Sequence, residues 1–209
     1  RSYYTSASSI INCGMKIKFI DIAKDSQNLD ASLIEKNITK NTRALICVHL
    51  AGVPCEMHKI MKIAKKNKIF VIEDCSQAHG ARIKSKKVGS FGDLSIWSFC
   101  QDKIISTGGE GGMVSTNNLN LYNKILSIKD NGRNLSKLKK ISYKGTFNYI
   151  HDFIGNNYRM TEMQAILGIT QLRELDLIIL KRNKNAKIFD NKFKNLENIF
   201  ILDKSDKII

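Results

Sequence analysis

Short runs rich in β-branched and aromatic residues alternate along this chain with runs of helical period, and that alternation constrains the fold more than any other feature. Strands joined by helix-length segments connect through crossovers, which produces an α/β domain with a mostly parallel sheet and helices on both faces. Lys16 to Asp21 reads as a strand, residues 30–37 as a helix capped by Asp30, and residues 44–49 as a strand. An amphipathic helix is expected over 56–67, with Met57, Ile60, Met61 and Ala64 on one face as core packing. Buried strands follow at 69–73 and 94–99, then a strand at 112–116 leaving a Gly-rich turn, then a helix at 119–129.

The stretch Asn131 to Asn157 is polar and weakly periodic, and reads as a long excursion with a functional rather than a packing role. Thr161-Glu-Met-Gln164 has the capping-box pattern, and the helical pattern that starts there runs past Leu180. Residues 1–175 are therefore expected to form the large domain. Residues 176–209 then supply a connecting helix and the start of a second, smaller domain.

The 209 residues carry a formal net charge of +15, which raises nucleic acid or an acidic membrane surface as partners. The excess is Lys scattered through Asn- and Ile-rich sequence, with no interleaved aromatic residues to act as a stacking platform, so no nucleic-acid partner is expected. No apolar run reaches the ~18 residues of a membrane span. The five cysteines form no C-x-x-C pair and have no His at ligand spacing, which predicts reduced thiols, a cytoplasmic location and no metal.

Lys103 and Asp74 carry the chemistry. Each lies just past an expected strand end, where open α/β sheets bind their ligands. Lys103 opens into Gly108-Gly-Glu-Gly-Gly112, and Asp74 closes Ile69-Phe-Val-Ile-Glu-Asp74. An amine able to form a Schiff base and an acid able to keep a pyridine ring protonated are what pyridoxal phosphate requires. Taken alone, an acidic strand end is a common structural feature, and a lysine after a strand is commonly solvated.

The surrounding motifs narrow this. Val48-His-Leu-Ala-Gly52, Val71-Ile-Glu-Asp-Cys-Ser-Gln-Ala-His-Gly-Ala81, Gly89-Ser-Phe-Gly-Asp93, Ser98-Phe-Cys-Gln-Asp-Lys103, Gly108-Gly-Glu-Gly-Gly-Met113 and Gly155-Asn-Asn-Tyr-Arg-Met-Thr-Glu162 occur in that order. Together they resemble the DegT/DnrJ/EryC1/StrS sugar aminotransferases, a branch of the aspartate aminotransferase fold that depends on pyridoxal phosphate.

The resemblance implies that Lys103 forms the Schiff base and shuttles the proton, while Asp74 holds the ring nitrogen. It implies further that Gln77 bonds near the phenolic oxygen or ring face, that Ser98 contacts the phosphate, and that Tyr3 stacks on the ring. Asn157 is implied to reach the phosphate of a neighbouring subunit, which makes the expected enzyme a homodimer with shared sites. The implied reaction converts a nucleotide-linked keto sugar to an amino sugar, with an amino acid, glutamate, as donor, for a surface polysaccharide or glycoconjugate. A dehydratase using pyridoxamine phosphate is the rival within the fold, but such relatives replace the lysine with histidine. A basic nucleic-acid-binding or scaffold protein that keeps the fold without the cofactor is the rival from another class.

Ser98 and Gln77 also have plain structural readings, as a strand residue bonded to backbone and as a cap. His49, His79 and His151 read as structural, with no acid spaced to complete a metal site, and His151 lies in the excursion that approaches the neighbour's site in the family. Glu110 is expected to brace the glycine turn, and Arg159 to pair with an acid in the dimer. Cys75 and Ser76 stand where the family often has alanine. The resemblance also implies a phosphate-binding loop before Arg1 and a small domain after Ile209, without which residues 1–209 bind the cofactor weakly and expose apolar surface.

Overall fold

The computed structural model describes residues 1–134, 137 and 150–201. Its centre is a four-stranded sheet in the order β1-β2-β5-β6, built from β1 (Ala44–Val48), β2 (Phe70–Asp74), β5 (Leu94–Ser98) and β6 (Gly112–Ser115). β1, β2 and β5 run parallel, with Cys47 opposite Glu73 and Asp74 opposite Ile96; β6 runs antiparallel to β5. A two-stranded hairpin, β3 (Arg82–Ile83) and β4 (Lys86–Lys87), lies between β2 and β5 in the chain.

One face of the sheet is sealed by α3 (Met57–Asn67). Its Met57, Ile60 and Ala64 recur at helical spacing and bury against Leu45, Cys47 and Val71, together with Ala31 and Ile34. The expected helix at 30–37 is a 3₁₀ turn, Ala31–Leu33, running into α2 (Ile34–Asn37), with the Asp30 side chain accepting from the Ser32 amide as its cap. The opposite face is half-covered: Ile46, Ile72 and Ile96 are of intermediate exposure. α1 (Tyr4–Asn12) reaches the sheet end through Ser6, which hydrogen-bonds Asp74.

Lys16 to Asp21 is not a strand. The segment is extended but makes no ladder, and only an isolated bridge joins Ile22 to Leu29. Local β preference sets backbone angles, whereas a strand also needs a neighbour to take its hydrogen bonds, and here the nearest contacts are at the end of the run, where the Asp21 carbonyl accepts from the Asp30 amide.

The excursion begins after α4 (Leu119–Lys129) as a packed stem. Bridges join Asp130 to Asn157 and Arg133 to His151, and the Asn131 carbonyl accepts from His151 Nδ1 at 2.8 Å. The expectation of an unpacked excursion is thus corrected for this base; residues 135, 136 and 138–149 lie outside the described residues.

The capping box at Thr161 and Gln164 is present and starts α5 (Glu162–Arg173). The helical pattern past Leu180 is two helices, because the chain breaks at Glu174 before α6 (Leu175–Phe193). α6 docks where Gly80 leaves room: a Cβ there would come within 2.1 Å of Ile179 Cδ1. Met163, Ile166, Ile169 and Leu172 of α5 are all exposed. No described helix is long and apolar enough to cross a membrane.

Candidate active site

Asp74 ends β2, is 5% exposed, and is held from two sides. Its Oδ2 accepts from Ser6 Oγ at 3.0 Å and its Oδ1 from the Ser76 amide at 3.1 Å. The second contact uses backbone, so the identity of residue 76 is of little consequence there. Ser98 stands two residues beyond Ile96, the register partner of Asp74, and alternation along a strand puts Asp74 and Ser98 on the same face. The Ser98 hydroxyl accepts from the Cys100 amide at 3.3 Å.

Lys103 follows in a turn closed by its own amide on the Cys100 carbonyl. Its side chain is 22% exposed, and Nζ lies 3.3 Å from Asp102, whose own side chain is largely in solvent. The glycine turn beyond is braced as expected from Glu110: its carboxylate accepts from Cys100 Sγ, and its carbonyl accepts from Thr107 and Gln164. Gly111 is required there, since a Cβ would stand 2.1 Å from Thr107 Oγ1.

Tyr3 is the N-cap of α1; its carbonyl accepts from the Ser6 amide at 3.2 Å, so its backbone sits one turn from the residue bonded to Asp74, with the ring 74% exposed. Gln77 turns its oxygen to the Ala51 amide at 2.8 Å and thereby holds Ala51 in the left-handed region, at φ 51. Asn157 bridges to Asp130 at the base of the stem, and its Oδ1 accepts from Arg159 Nε at 2.9 Å. Arg159 pairs with an acid of its own chain, Asp130, at 3.3 Å.

A second polar cluster lies on the opposite face. Fully buried Glu73 accepts from His49 Nε2 at 3.0 Å and from the amides of Gly89, Phe91 and Gly92 at 2.6–2.7 Å. The Cys55 amide donates to His49 Nδ1, which assigns the ring proton to Nε2. Burial opposes ionisation of Glu73, but the hydrogen bonds from His49 and the Gly92 and Gly89 amides outweigh it and hold the carboxyl below its ordinary range. His49, Glu73 and Cys75 present possible metal ligands within 4.8 Å of one another, which corrects the expectation that no acid accompanies the histidines. Sequence spacing hid the pair because the parallel register of β1 and β2 is what joins them. His49 and Glu73 are nonetheless committed to each other and to backbone donors, and burial keeps Cys75 protonated, so the cluster reads as structural.

Glu73→Ala is expected to lower unfolding stability by about 3–5 kcal/mol, because His49 and three amides lose their acceptor together; denaturant unfolding measures it. The stabilisation by Glu73 is present above its ordinary value near 4.5 and is lost as pH falls through its depressed folded value.

His79 is 4% exposed and tilts against Trp97 and Phe99 at 5.4 and 5.9 Å. Among the described residues no partner of ordinary hydrogen-bond geometry reaches either ring nitrogen. Burial pushes its pKa down to about 4, a shift that the nearby Ser98 backbone opposes and the Lys103 charge reinforces. The unfolded chain binds the extra proton first, so stability should fall by roughly 3 kcal/mol as pH drops from 6.5 to 4. His79→Phe should remove that slope in pH-dependent melting while leaving the aromatic packing filled.

These residues give the carboxyl edge of the sheet a fixed anion, a hydroxyl and a half-buried amine, a set that fits a cofactor with a basic ring nitrogen, an anionic tail and an aldehyde. Solved structures with this architecture include the aminotransferase from Psychrobacter cryohalolentis, with 42% identity and a TM-score of 0.89 over 93% of this chain and 49% of that one. An E. coli GDP-4-keto-6-deoxy-D-mannose-3-dehydratase with bound hydrated PLP matches at 27% identity and a TM-score of 0.87, over all of this chain and 55% of the other. The fold is therefore that of the PLP-dependent aminotransferases. The chain belongs to the DegT/DnrJ/EryC1/StrS aminotransferase family, whose profile matches residues 1–207. Among curated relatives, the GDP-perosamine synthase of Escherichia coli O157:H7 is 39% identical over 99% of this chain and 53% of its own length. The chain thus spans about half the length of the curated relatives it matches.

Proposed function

We propose that this chain is the cofactor-holding part of a pyridoxal-phosphate-dependent aminotransferase that converts a nucleotide-linked keto sugar to an amino sugar. The observation that carries this reading is the half-buried Lys103 amine beyond β5, on the sheet edge where Asp74 ends the adjacent strand. Pyridoxal phosphate, when bound, supplies an aldehyde that accepts an amino group and a protonated ring that stabilises negative charge on the reacting carbon. Asp74 holds the ring nitrogen, Ser98 the phosphate, and Tyr3 covers the ring. Gln77, its oxygen spent on Ala51, offers its amide nitrogen near the phenolic oxygen. Lys103 would hold the cofactor covalently through Nζ and, when Nζ is free, would serve as the base that takes up and returns a proton at the reacting carbon; the same amine would serve both halves of the reaction.

Glutamate is the proposed donor, and the product is proposed to feed a surface polysaccharide or glycoconjugate from the cytoplasm. The presence of Lys103 favours transamination over dehydration. The names of the relatives point to GDP- and UDP-linked sugars as the first substrates to test. Full-length protein given glutamate and a panel of GDP- and UDP-linked keto sugars should yield an amino sugar, seen by mass spectrometry, and 2-oxoglutarate. A dehydrated sugar, or no product and no bound cofactor, would replace this reading with one of its rivals.

The proposed enzyme is a homodimer in which Asn157 of one chain completes the site of the other. Its position at the base of the stem, bridged to Asp130, and the exposed apolar strip along α5 support this arrangement. Full-length Lys103→Ala and Asn157→Ala proteins should each be impaired, while their purified hybrid should recover activity well above either parent. A hybrid no more active than its parents would place Asn157 in its own chain's site or in none.

A further inference from the structure

The Asp74 carboxylate has a side-chain partner that the sequence motifs do not single out. Ser6 Oγ stands 3.0 Å from Asp74 Oδ2 in a partly buried contact, and Ser2 Oγ stands 2.6 Å from Ser6 Oγ. An ionised carboxylate only accepts, so Ser6 donates to Asp74 and takes the Ser2 proton in turn, giving a hydrogen-bonded chain that runs one way along the first turn of α1. With Oδ1 fixed by the Ser76 amide, Ser6 sets the tilt of the carboxylate plane about that second anchor. α1 has no fully buried residue, so the hydroxyl contact also couples the position of Tyr3, one turn earlier, to the acid.

From this geometry we infer that Ser6 is a positioning residue: it aims the Asp74 carboxylate at the cofactor's ring nitrogen and, through the same turn, registers Tyr3 over the ring. The inference rests on the reading of Asp74 proposed above. A hydrogen bond to an ionised acceptor is among the stronger ones in proteins, and a carboxylate that can rotate away from its target holds a pyridinium less well.

The test uses full-length protein with Ser6→Ala, the nearly isosteric Ser6→Cys, Ser6→Thr and Asp74→Asn. Three quantities are measured: the dissociation constant for pyridoxal phosphate, the ¹⁵N resonance of the ring nitrogen of labelled bound cofactor against pH, and the melting temperature without cofactor. Ser6→Ala and Ser6→Cys should each weaken cofactor binding about tenfold and move the ring-nitrogen signal toward the unprotonated position at a pH where the wild type remains protonated. Ser6→Thr, which keeps the hydroxyl, should restore both. If the Ala and Cys variants lower only the melting temperature, or change nothing, Ser6 is an anchor for α1 and the inference falls. Asp74→Asn separates the two readings. Should it perturb binding and the nitrogen signal while neither Ser6 variant does, Ser6 alone is misassigned; should it leave both unchanged, the assignment of Asp74 fails and that of Ser6 with it.

Discussion

Lys103→Ala in the full-length protein is expected to abolish covalent retention of pyridoxal phosphate and to lower transamination by about 10³-fold or more, with the fold intact. The side chain is 22% exposed and, among the described residues, ion-pairs with the exposed Asp102, so its truncation opens no core cavity. Borohydride treatment followed by mass spectrometry reads the first effect directly, because the wild type is fixed as a cofactor adduct and the variant is not. Retained turnover, or an adduct on another lysine, would remove Lys103 from the proposed role. A scaffold protein that had kept the fold without the chemistry would show no adduct even in the wild type.

Asp74→Asn should slow proton transfer by about 10²- to 10³-fold and weaken cofactor retention, since an amide cannot supply the negative charge that keeps a pyridine ring protonated. The substitution is nearly isosteric: the Ser76 amide can still donate to the remaining oxygen, and the new side-chain nitrogen can donate to Ser6 Oγ. Any large stability change is therefore not expected, and single-turnover kinetics alongside thermal melting separates the two effects. Near-normal kinetics would reduce Asp74 to a strand-end residue that caps the turn at Ser76.

Much of the fold is legible in the order of its runs. β1, β2, β5, β6, α3, α4 and the start of α5 fall within a residue or two of their expected bounds, and the helices carry signals of their own: the Met57, Ile60 and Ala64 stripe, the Asn118 side chain at the head of α4, the Thr161 box at the head of α5. Two expectations differ from the structure. The run at Lys16 has strand composition but joins no ladder among the described residues, and a break at Glu174 divides the helical pattern that starts at Glu162. A preference for extended angles does not make a strand without a partner to share its hydrogen bonds.

The candidate site divides along the same line. Residue type and spacing were enough to single out Lys103 and Asp74, because an amine and an acid just past strand ends converge on the carboxyl edge of any parallel sheet. Roles for Ser98, Gln77, Tyr3 and Asn157 come only as what the family resemblance implies. What no spacing contains is which distant side chains touch. Ser6 lies 68 positions from the acid it bonds, His49 lies 24 from Glu73, and Gln77 lies 26 from the Ala51 amide it holds. Such pairs are made by strand register and by the angle at which α1 meets the sheet, and both are properties of the packed whole. The chain alone thus supplies the candidate groups and the edge on which they gather, while only packing supplies the partners that orient them, because a hydrogen bond requires ångström proximity that sequence distance does not encode.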